Sequence, residues 1–464
     1  MKQILILALT LLSAGTQAQT ARQFTLNLTP DGKAQMVGYL PETPSGRAIV
    51  GVPGGGYSML SNTHEGYLAS DWLNRQGIAY FVVNYRLPDG DRSKPIADVE
   101  QAMRTVRDSA SLWRINPRDV GIMGFSAGGH LASVVSTMSP FDVRPDFSIL
   151  FYPVISMDER LSHKWSCRNF LGEEGQKDEQ LVRQYSTCNA VRSHLTPPAL
   201  IITASDDRLV SPVTNALTYY SAMRQAGNAC AMYVYPEGDH GFGFGTWFKY
   251  HDQLLSDIAA WLKGLQAPRP DAVRVACIGN SITDGFGIDM RTQYSYPALL
   301  QGLLGDGYWV RNYGVTAHTL LSRGDLPYVN TQAWADAQAF RPDIAIIKLG
   351  TNDSKPENWR YGSGFRADLE RMVETLRSRG TRVILCTPIP AFKPTWNISD
   401  SVITHAIIPL QQAVAKKYGL QLIDLHTLYS GDGDKMLPDG IHPSGEGAKR
   451  LAEIIAAQLK AGAK

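Results

Sequence analysis

The stretch Val120-Gly121-Ile122-Met123-Gly124-Phe125-Ser126-Ala127-Gly128-Gly129 decides the fold of the first half of the chain. Its apolar run ends at Met123, small residues flank Ser126, and a helical run follows at 131–135. This order of strand, tight turn and helix is the setting in which a GxSxG motif raises a serine hydroxyl above a sheet. Because an alcohol is a poor nucleophile at neutral pH, we expect Ser126 to need a histidine and an orienting carboxylate.

Candidates for both partners follow two later apolar runs, in the chain order serine, aspartate, histidine. Asp206 and Asp207 follow the run 200–203, and His240 follows the run 232–235. Both positions lie at strand C-terminal ends, which is the edge of the sheet where Ser126 is expected. The sequence therefore predicts a serine hydrolase site in this half.

An acyl-transfer site also needs backbone N–H groups directed at the developing oxyanion. Three glycines follow the apolar run that ends at Val52. We expect the N–H groups of Gly55 and Gly56 to form one arm of this oxyanion hole. The N–H of Ala127 forms the other.

Short apolar runs alternate with helical stretches on both sides of this motif, which predicts a mainly parallel sheet with helices on both faces. An opening hairpin is expected over residues 23–40, around Asp31-Gly32. Helices are expected over 96–112 and 213–224. The strand candidates of the first half are 48–52, 79–83, 120–123, 149–151, 200–202 and 232–234.

The segment 264–270 interrupts this alternation with two prolines and no apolar periodicity, and we place a domain boundary there. A second strand and helix series follows, with strand candidates at 273–278, 309–310, 344–347, 383–385 and 422–423. The predicted domains are therefore 20–266 and 271–464, after a segment 1–18 that is discussed below. The halves share no order of motifs, which indicates a fusion of two different α/β folds.

The second half carries three motif blocks of its own. Ser281 lies in Gly-Asn-Ser-Ile-Thr-Asp-Gly after the first strand, Asn352 lies in Gly-Thr-Asn-Asp after the third, and Asp439 precedes His442 by three residues. In this arrangement Ser281 attacks, His442 takes its proton and Asp439 orients the imidazole. Asn352 would donate its side-chain amide to the oxyanion, beside the N–H of Ser281.

Both halves resemble known families. The Pro-Gly-Gly-Gly-Tyr, Gly-Phe-Ser-Ala-Gly-Gly-His and Tyr-Pro-Glu-Gly-Asp-His-Gly-Phe blocks, with His64-Glu65, are similar to the acetylxylan and feruloyl esterase branch of the α/β-hydrolases. That resemblance favours Asp207 over Asp206, because related hydrolases place the acid three residues before the position of Val210. The second half resembles the SGNH, or GDSL, hydrolases, which implies a flavodoxin-like three-layer fold. Its 350–359 stretch is particularly similar to sialate and carbohydrate O-acetylesterases.

One position departs from the SGNH pattern. By its distance from Asn312, the oxyanion glycine of that family should lie where this chain has Ala317. Alanine keeps the backbone N–H donor, but its Cβ narrows the pocket or changes the backbone angle. We expect the second site to be active, with a silent, glycan-binding second domain as the alternative.

The first residues indicate the compartment. Lys2, the apolar run 4–12 and Thr16-Gln17-Ala18 have the pattern of a cleavable secretory signal, so we expect cleavage after Ala18 and a periplasmic or extracellular protein. No run is long enough to cross a bilayer, so membrane insertion is not expected. In such a compartment Cys167 and Cys188 are either bridged or free, and the sequence leaves both alternatives open.

Composition narrows the partners. The chain has 464 residues and a net charge of +2, too small for the basic field that nucleic acid binding requires. No metal-binding spacing is present, and serine acyl transfer requires neither a metal nor a cofactor. We therefore expect a secreted bifunctional carbohydrate esterase that removes O-acetyl, or feruloyl, groups from polysaccharides such as xylan, or from oligosaccharides, through a serine acyl-enzyme. A sialate O-acetylesterase acting on host glycans is the alternative, and the oligomeric state is left open.

Overall fold

The computed structural model describes residues 22–461, so the predicted signal segment 1–18 lies outside the described residues. Within 22–461 the chain forms two separate sheets, one in each half. The strands of the first sheet are β1 (Arg22–Asn27), β2 (Gln35–Leu40), β3 (Ala48–Val52), β4 (Ala79–Asn84), β5 (Val120–Phe125), β6 (Ser148–Phe151), β7 (Ala199–Ala204) and β8 (Cys230–Tyr235).

The first sheet has the order β1-β2-β4-β3-β5-β6-β7-β8. The predicted hairpin is present, because β1 and β2 pair antiparallel with Arg22 opposite Leu40. β2 also pairs antiparallel with β4, and all later neighbours are parallel. Helices cover both faces, as parallel strands joined by crossovers require.

The helices of the first half lie between these strands. They are α1 (Ala69–Arg75), α2 (Ser93–Asp108), α3 (Ala110–Trp113), α4 (Ala127–Met138), α5 (Lys164–Gly175), α6 (Glu179–Tyr185), α7 (Ala216–Gln225) and α8 (His251–Gly264). The helix expected over 96–112 is divided at Ser109, whose backbone leaves the helical region. The helix expected over 213–224 begins later, at Ala216, because Asn215 is non-helical.

The second sheet is wholly parallel and has the order β10-β9-β11-β12-β13, which is the flavodoxin-like order. Its strands are β9 (Val273–Gly279), β10 (Tyr308–Gly314), β11 (Ile344–Lys348), β12 (Arg382–Cys386) and β13 (Gln421–Ile423). Its helices are α9 (Ser281–Asp284), α10 (Arg291–Tyr294), α11 (Tyr296–Leu304), α12 (Gln332–Ala339), α13 (Pro356–Trp359), α14 (Phe365–Arg377), α15 (Asp400–Val402), α16 (Ile408–Tyr418), α17 (Leu425–Leu428) and α18 (Gly445–Ala461). The predicted α/β class is confirmed for both halves.

Each sheet buries apolar side chains on both faces. Val50 and Ile122 pack on one face of the first sheet, while Ile49 and Met123 pack on the other. The second sheet also has a core on each face. Leu195 of the first half belongs to one of these two cores, so the halves pack directly against each other.

The described cysteines are all free thiols. Cys167 is buried with its Sγ 3.7 Å from the carbonyl oxygen of Ser156, and the Cys188 Sγ lies 3.9 Å from that of Ser186. The alternative of a Cys167–Cys188 bridge is therefore not what the structure contains. Between residues 22 and 461, no helix combines the length and the apolar character needed to span a membrane.

Candidate active sites

Ser126 lies at the sharp turn between β5 and α4. Its backbone has φ 53° and ψ −118°, a conformation that L-residues rarely adopt and that stores strain at functional turns. The turn is possible because its neighbours are small: a Cβ added to Gly128 would lie 2.2 Å from the carbonyl oxygen of Val52. The sequence pattern thus predicts the turn correctly, and the serine hydroxyl lies at the C-terminal edge of the sheet.

The structure brings Ser126 together with its two predicted partners. His240 Nε2 lies 2.8 Å from Ser126 Oγ, and His240 Nδ1 lies 2.8 Å from Asp207 Oδ2. The other carboxylate oxygen of Asp207 accepts the N–H groups of Leu209 and Val210, at 2.9 and 2.8 Å. The imidazole is therefore held with one nitrogen on a buried carboxylate and the other on the serine.

Asp206 has a different position. Its Oδ1 accepts the N–H of Asp239 at 2.8 Å, so it ties down the loop that carries His240 and does not contact the imidazole. Of the two neighbouring aspartates, Asp207 is the one that contacts His240, as the resemblance to related hydrolases predicts. The hydrogen-bonded set of Ser126, His240 and Asp207 is called the first relay below.

The glycine loop after β3 lies against Ser126. A Cβ added to Gly54 would be 3.0 Å from the Cβ of Ser126. The carbonyl of Gly54 accepts the N–H of Ser61, and the carbonyl of Gly55 accepts the N–H groups of Ser58 and Met59. Because the N–H and C=O of a trans peptide point in opposite directions, the N–H groups of Gly55 and Gly56 face away from these donors.

Glu65 lies beneath this loop, and sequence reasoning assigned no role to it. Its Oε2 would be 2.5 Å from a Cβ on Gly54. Burial raises the pKa of Glu65, while a hydrogen bond from the Tyr152 hydroxyl acts in the opposite direction. The ring of Tyr152 lies 4.6 Å from that of His240, and its hydroxyl accepts the N–H of Gly243 at 3.0 Å. Glu65 and Tyr152 thus connect the glycine loop to the histidine loop.

Part of the connection between β6 and β7, residues 158–197, lies over the first site. Asn169 on α5 donates its amide to the carbonyl of Gly56 at 2.8 Å, and His163 lies beside the same glycine. The peptide after Gly56 is thereby held from outside the sheet. Asn169 and His163 therefore cover part of the first site.

The second site has the same relay on a different fold. His442 Nε2 lies 2.8 Å from Ser281 Oγ, and His442 Nδ1 lies 2.8 Å from Asp439 Oδ2. The other oxygen of Asp439 accepts the N–H groups of Ile441 and His442, at 2.8 and 2.9 Å. Asp439 and His442 therefore lie on a single turn, as their spacing of three residues predicts.

The predicted oxyanion residues of this second site lie on one loop and its neighbour. Ala317 adopts φ 68°, the left-handed conformation for which glycine is favoured. Asn352 donates Nδ2 to the carbonyl of His318 at 3.0 Å, so the two predicted donors are adjacent. The buried carboxylate of Asp353 accepts the N–H groups of Leu320 and Leu321 at 3.0 and 2.7 Å.

Electrostatics favour a neutral imidazole in the second relay. Burial lowers the pKa of His442, and the nearby Lys348 acts in the same direction, against the opposing effect of Asp439. Burial alone would raise the pKa of Asp439, but the hydrogen bonds from His442 and Ile441 bring it below its ordinary value. His442 can therefore accept a proton, while Asp439 stays ionised.

Two aromatic side chains at the second site were not predicted from the sequence. The rings of Phe286 and Trp396 lie 4.7 and 5.5 Å from the imidazole of His442. Trp396 is exposed, at 54 %, and so presents a flat apolar surface beside the relay. A single tryptophan in a polar stretch of the sequence is the signal that could have predicted this aromatic surface. Trp359, another aromatic residue of this half, packs against Phe365.

Comparisons with known proteins agree with these two folds. Residues 49–244 match the family described as alpha/beta hydrolase fold, and residues 277–450 match the GDSL-like Lipase/Acylhydrolase family. The acetylxylan esterase of Xylanibacter ruminicola is 69 % identical over 478 residues, which cover 99 % of this chain and 100 % of that protein.

Two partial matches concern single regions. Endo-1,4-beta-xylanase B of Butyrivibrio fibrisolvens is 34 % identical over 205 residues, 41 % of this chain and 31 % of that protein. The crystal structure of an acetyl ester-xyloside bifunctional hydrolase from Caldicellulosiruptor lactoaceticus has 31 % identity and a TM-score of 0.48, over 53 % of this chain and 98 % of its own.

The matches to both halves define the class: the chain is a carboxylic ester hydrolase that joins an α/β-hydrolase unit to a GDSL-like unit. It belongs to the acetylxylan esterase family that includes the Xylanibacter ruminicola protein. Both resemblances inferred from the sequence are confirmed.

Proposed function

We propose that this carbohydrate esterase removes O-acetyl groups from xylan-type polysaccharides with two active sites, on domains 20–266 and 271–464. The observation that carries this proposal is the presence of two complete relays, each with both hydrogen bonds at 2.8 Å. The substrate class is supported by the 69 % identical acetylxylan esterase.

In the first site, Ser126 Oγ attacks the ester carbonyl while His240 Nε2 takes its proton and Asp207 holds the imidazole. The sugar hydroxyl leaves with that proton, and water then attacks the acyl-serine by the reverse sequence of proton transfers. Neither step needs a cofactor. The oxyanion is held by the N–H groups of Gly55, Gly56 and Ala127.

In the second site, Ser281 attacks and His442 transfers the proton, with Asp439 as the orienting carboxylate. The oxyanion is held by the N–H groups of Ser281 and Ala317 and by the side-chain amide of Asn352. Two unlike sites on one chain fit a substrate that carries esters in different positions, or one polymeric and one oligomeric substrate.

The segment 1–18 supports action outside the cytoplasm, in the periplasm or beyond the cell. A positively charged start, an apolar run and a small-residue end are the parts that a secretory signal requires. Sequencing the N-terminus of the exported protein tests this proposal, and a mature chain that still begins at Met1 would contradict it.

The function is tested by acetate release from wild type, Ser126→Ala, Ser281→Ala and the double variant. We expect each single variant to keep part of the activity on acetylated xylan, and the double variant to lose it. Each isolated serine substitution should remove one activity by a factor of about 10⁴ or more. Identical positional products from both single variants would contradict the division by ester position.

The same four proteins separate the alternatives. Acetate release from O-acetylated sialic acid, without release from xylan, would identify a sialate O-acetylesterase. Full activity of Ser281→Ala on every substrate, with glycan binding retained by that half, would identify a silent binding domain.

A further inference from the structure

The carboxylate of Asp284, three residues after Ser281, is buried and receives groups from both halves of the chain. From its own half, Thr316 Oγ1 donates to it at 2.6 Å and Arg291 Nη1 at 3.0 Å. From the first half, His194 Nε2 lies 3.0 Å from its Oδ1, and Ser193 Oγ donates at 3.3 Å. The same His194 nitrogen lies 2.7 Å from the backbone carbonyl of Asp284.

His194 is fixed within the first half by its own contacts, apart from its contact with Asp284. Its side chain is 5 % exposed, and its backbone N–H donates to Asn228 Oδ1 at 3.1 Å. Asn228 Nδ2 in turn donates to the carbonyl of Arg192 at 3.0 Å. The loop that presents His194 is therefore a fixed part of the first half and not a free surface segment.

Thr316 directly precedes Ala317, the residue whose N–H we assign to the second oxyanion hole. On its other side, this loop is anchored where Asn352 binds the carbonyl of His318 and Asp353 binds two further amides. The Thr316 hydroxyl on Asp284 is the anchor on the near side. Between them Ala317 is kept at φ 68°, a conformation that an alanine leaves readily when its neighbours allow it.

The state of Asp284 agrees with a role as an anchor. Burial alone would raise its pKa, but the hydrogen bond and charge of His194, the charge of Arg291 and the Thr316 hydroxyl bring the pKa of Asp284 below its ordinary value. The carboxylate is thus ionised and accepts all four donors. Arg291 is also shared between the halves, since its Nε donates to the carbonyl of Ala226 at 3.0 Å.

We propose that His194 of the first domain is a positioning residue for the second active site. It holds Asp284, Asp284 holds Thr316, and Thr316 fixes the N–H of Ala317 towards the oxyanion that forms at Ser281. The GDSL-like domain is therefore complete as a catalyst only when docked on the α/β-hydrolase domain. This inference rests on the proposed role of Ser281.

The first test measures kcat and KM for acetate release in the Ser126→Ala background, where only the second site turns over. We expect His194→Leu to lower kcat about tenfold with KM nearly unchanged, a fraction of the roughly 10²- to 10³-fold cost of losing an oxyanion donor outright. His194→Gln keeps an N–H near the position of Nε2 and should recover most of the kcat. An unchanged kcat in His194→Leu would overturn the proposal.

Thr292→Val is the matched control. Thr292 donates Oγ1 to the carbonyl of Gly227 at 2.9 Å, so this variant also removes one hydrogen bond between the halves, but none to Asp284. We expect its kcat to equal that of the parent. An equal loss in Thr292→Val and His194→Leu would show general loosening of the interface and overturn the specific role. His194→Leu in the Ser281→Ala background should keep first-site activity, which shows that the chain folds.

Hydrogen exchange of the peptide 314–320 tests the positioning without any turnover. We expect faster exchange of these amides in His194→Leu than in wild type, His194→Gln or Thr292→Val. Unchanged exchange would overturn the proposal even if activity falls. If Ser126→Ala releases no acetate at all, the proposed function of Ser281 fails, while the exchange comparison still decides whether His194 holds the loop.

Discussion

At the scale of single residues, Ala317 carries a conformational cost. A non-glycine residue in the left-handed region costs roughly 1–2 kcal/mol, and Ala317 adopts φ 68°. The hydrogen bonds of Thr316 and of Asn352 on either side offset this cost. Ala317 therefore adopts the left-handed conformation despite its Cβ, and it keeps the backbone N–H that we propose as an oxyanion donor.

Substitutions at Ala317 test this conclusion. We expect Ala317→Gly to keep second-site activity in the Ser126→Ala background within about threefold, because glycine adopts this conformation freely. Ala317→Val keeps the N–H but is β-branched, so it should reduce kcat well below that of Ala317→Gly. Equal kcat values for the two variants would show that the backbone angle at this position does not matter.

Lys348 is a second residue with an energetic cost, because its side chain is buried without a partner among the described residues. It is 1 % exposed at the end of β11, and its Nζ has no hydrogen-bond partner among the described residues. Burial lowers the pKa of Lys348 from 10.5 to about 8. At neutral pH the protein thus holds a buried, charged ammonium without a hydrogen-bond partner among the described residues, which opposes folding.

Removing this charge should stabilise the protein. One pKa unit corresponds to about 1.4 kcal/mol, so we expect Lys348→Met to raise the free energy of unfolding at pH 7 by about 3 kcal/mol. The unfolded lysine keeps its proton up to pH 10.5, so the penalty is complete below about pH 8 and falls as pH rises between these values. Urea unfolding at pH 7 and pH 10 measures this. The exposed Lys263→Met is the control, and an equal gain there would contradict the explanation.

Lys348 should also shape the pH profile of the second site. Burial and then Lys348 lower the pKa of His442, so the imidazole stays neutral, and able to act as a base, below its ordinary pKa of 6.5. In Ser126→Ala, we expect the acidic limb of kcat/KM to lie below pH 6.5. Lys348→Met should move that limb to higher pH, because it removes the positive charge. A limb that does not move would show that this charge does not reach His442.

At the scale of elements, the turn between β5 and α4 depends on the absence of side chains. A Cβ on Gly128 would meet the carbonyl oxygens of Val52 and Pro53 at 2.2 and 2.3 Å. These are backbone atoms at the end of β3 and of the residue that follows it, so they cannot move without displacing the glycine loop, where we propose an oxyanion hole. The end of β3, the turn at Ser126 and the glycine loop therefore pack so closely that none can move without displacing the others.

Gly128→Ala tests this close packing. We expect loss of first-site activity in the Ser281→Ala background and a stability cost of about 1–3 kcal/mol from overpacking. Second-site activity in the Ser126→Ala background should persist. Gly302→Ala on α11 is the matched control. A Cβ at this position would meet open space, and the substitution replaces a glycine inside a helix. It should stabilise by about 0.5–1 kcal/mol, and a similar loss in both variants would contradict the argument.

At the scale of the whole molecule, a buried ion pair joins the two halves. Arg144 Nη1 lies 3.1 Å from Asp336 Oδ2, with side chains 5 % and 3 % exposed. Arg144 also donates to the carbonyl of Ser139 at 2.9 Å. Since a buried charge that loses its partner is strongly destabilising, we expect this contact to disfavour other packings of the two halves.

Breaking one side of the pair should be costly. We expect Asp336→Leu to lower the free energy of unfolding by about 3–5 kcal/mol, because it leaves Arg144 charged and unpaired. The double variant Arg144→Leu, Asp336→Leu should recover most of this loss. Thermal unfolding of the three proteins measures the difference. Equal stability of the single and double variants would mean that the arginine finds another partner.

Much of the site could be predicted from sequence because its motifs are local. Ser126 and Ser281 lie one and two residues after the end of a strand, and Asp439 and His442 share one turn, so short-range spacing predicts their geometry. The choice of Asp207 rests on a three-residue distance to Val210, whose N–H the carboxylate accepts. The catalytic roles of these residues remain predictions until the serine variants are measured.

The sequence by itself determined two α/β units, the order of their motifs and the residues of both relays, since periodicity and motif spacing are properties of neighbouring residues. Only the tertiary structure brought Glu65 beneath Gly54, left Lys348 without a partner and placed His194 on Asp284. His194 and Asp284 are 90 residues apart in the chain. Their contact depends on how two independently built sheets pack, and no local pattern encodes that packing.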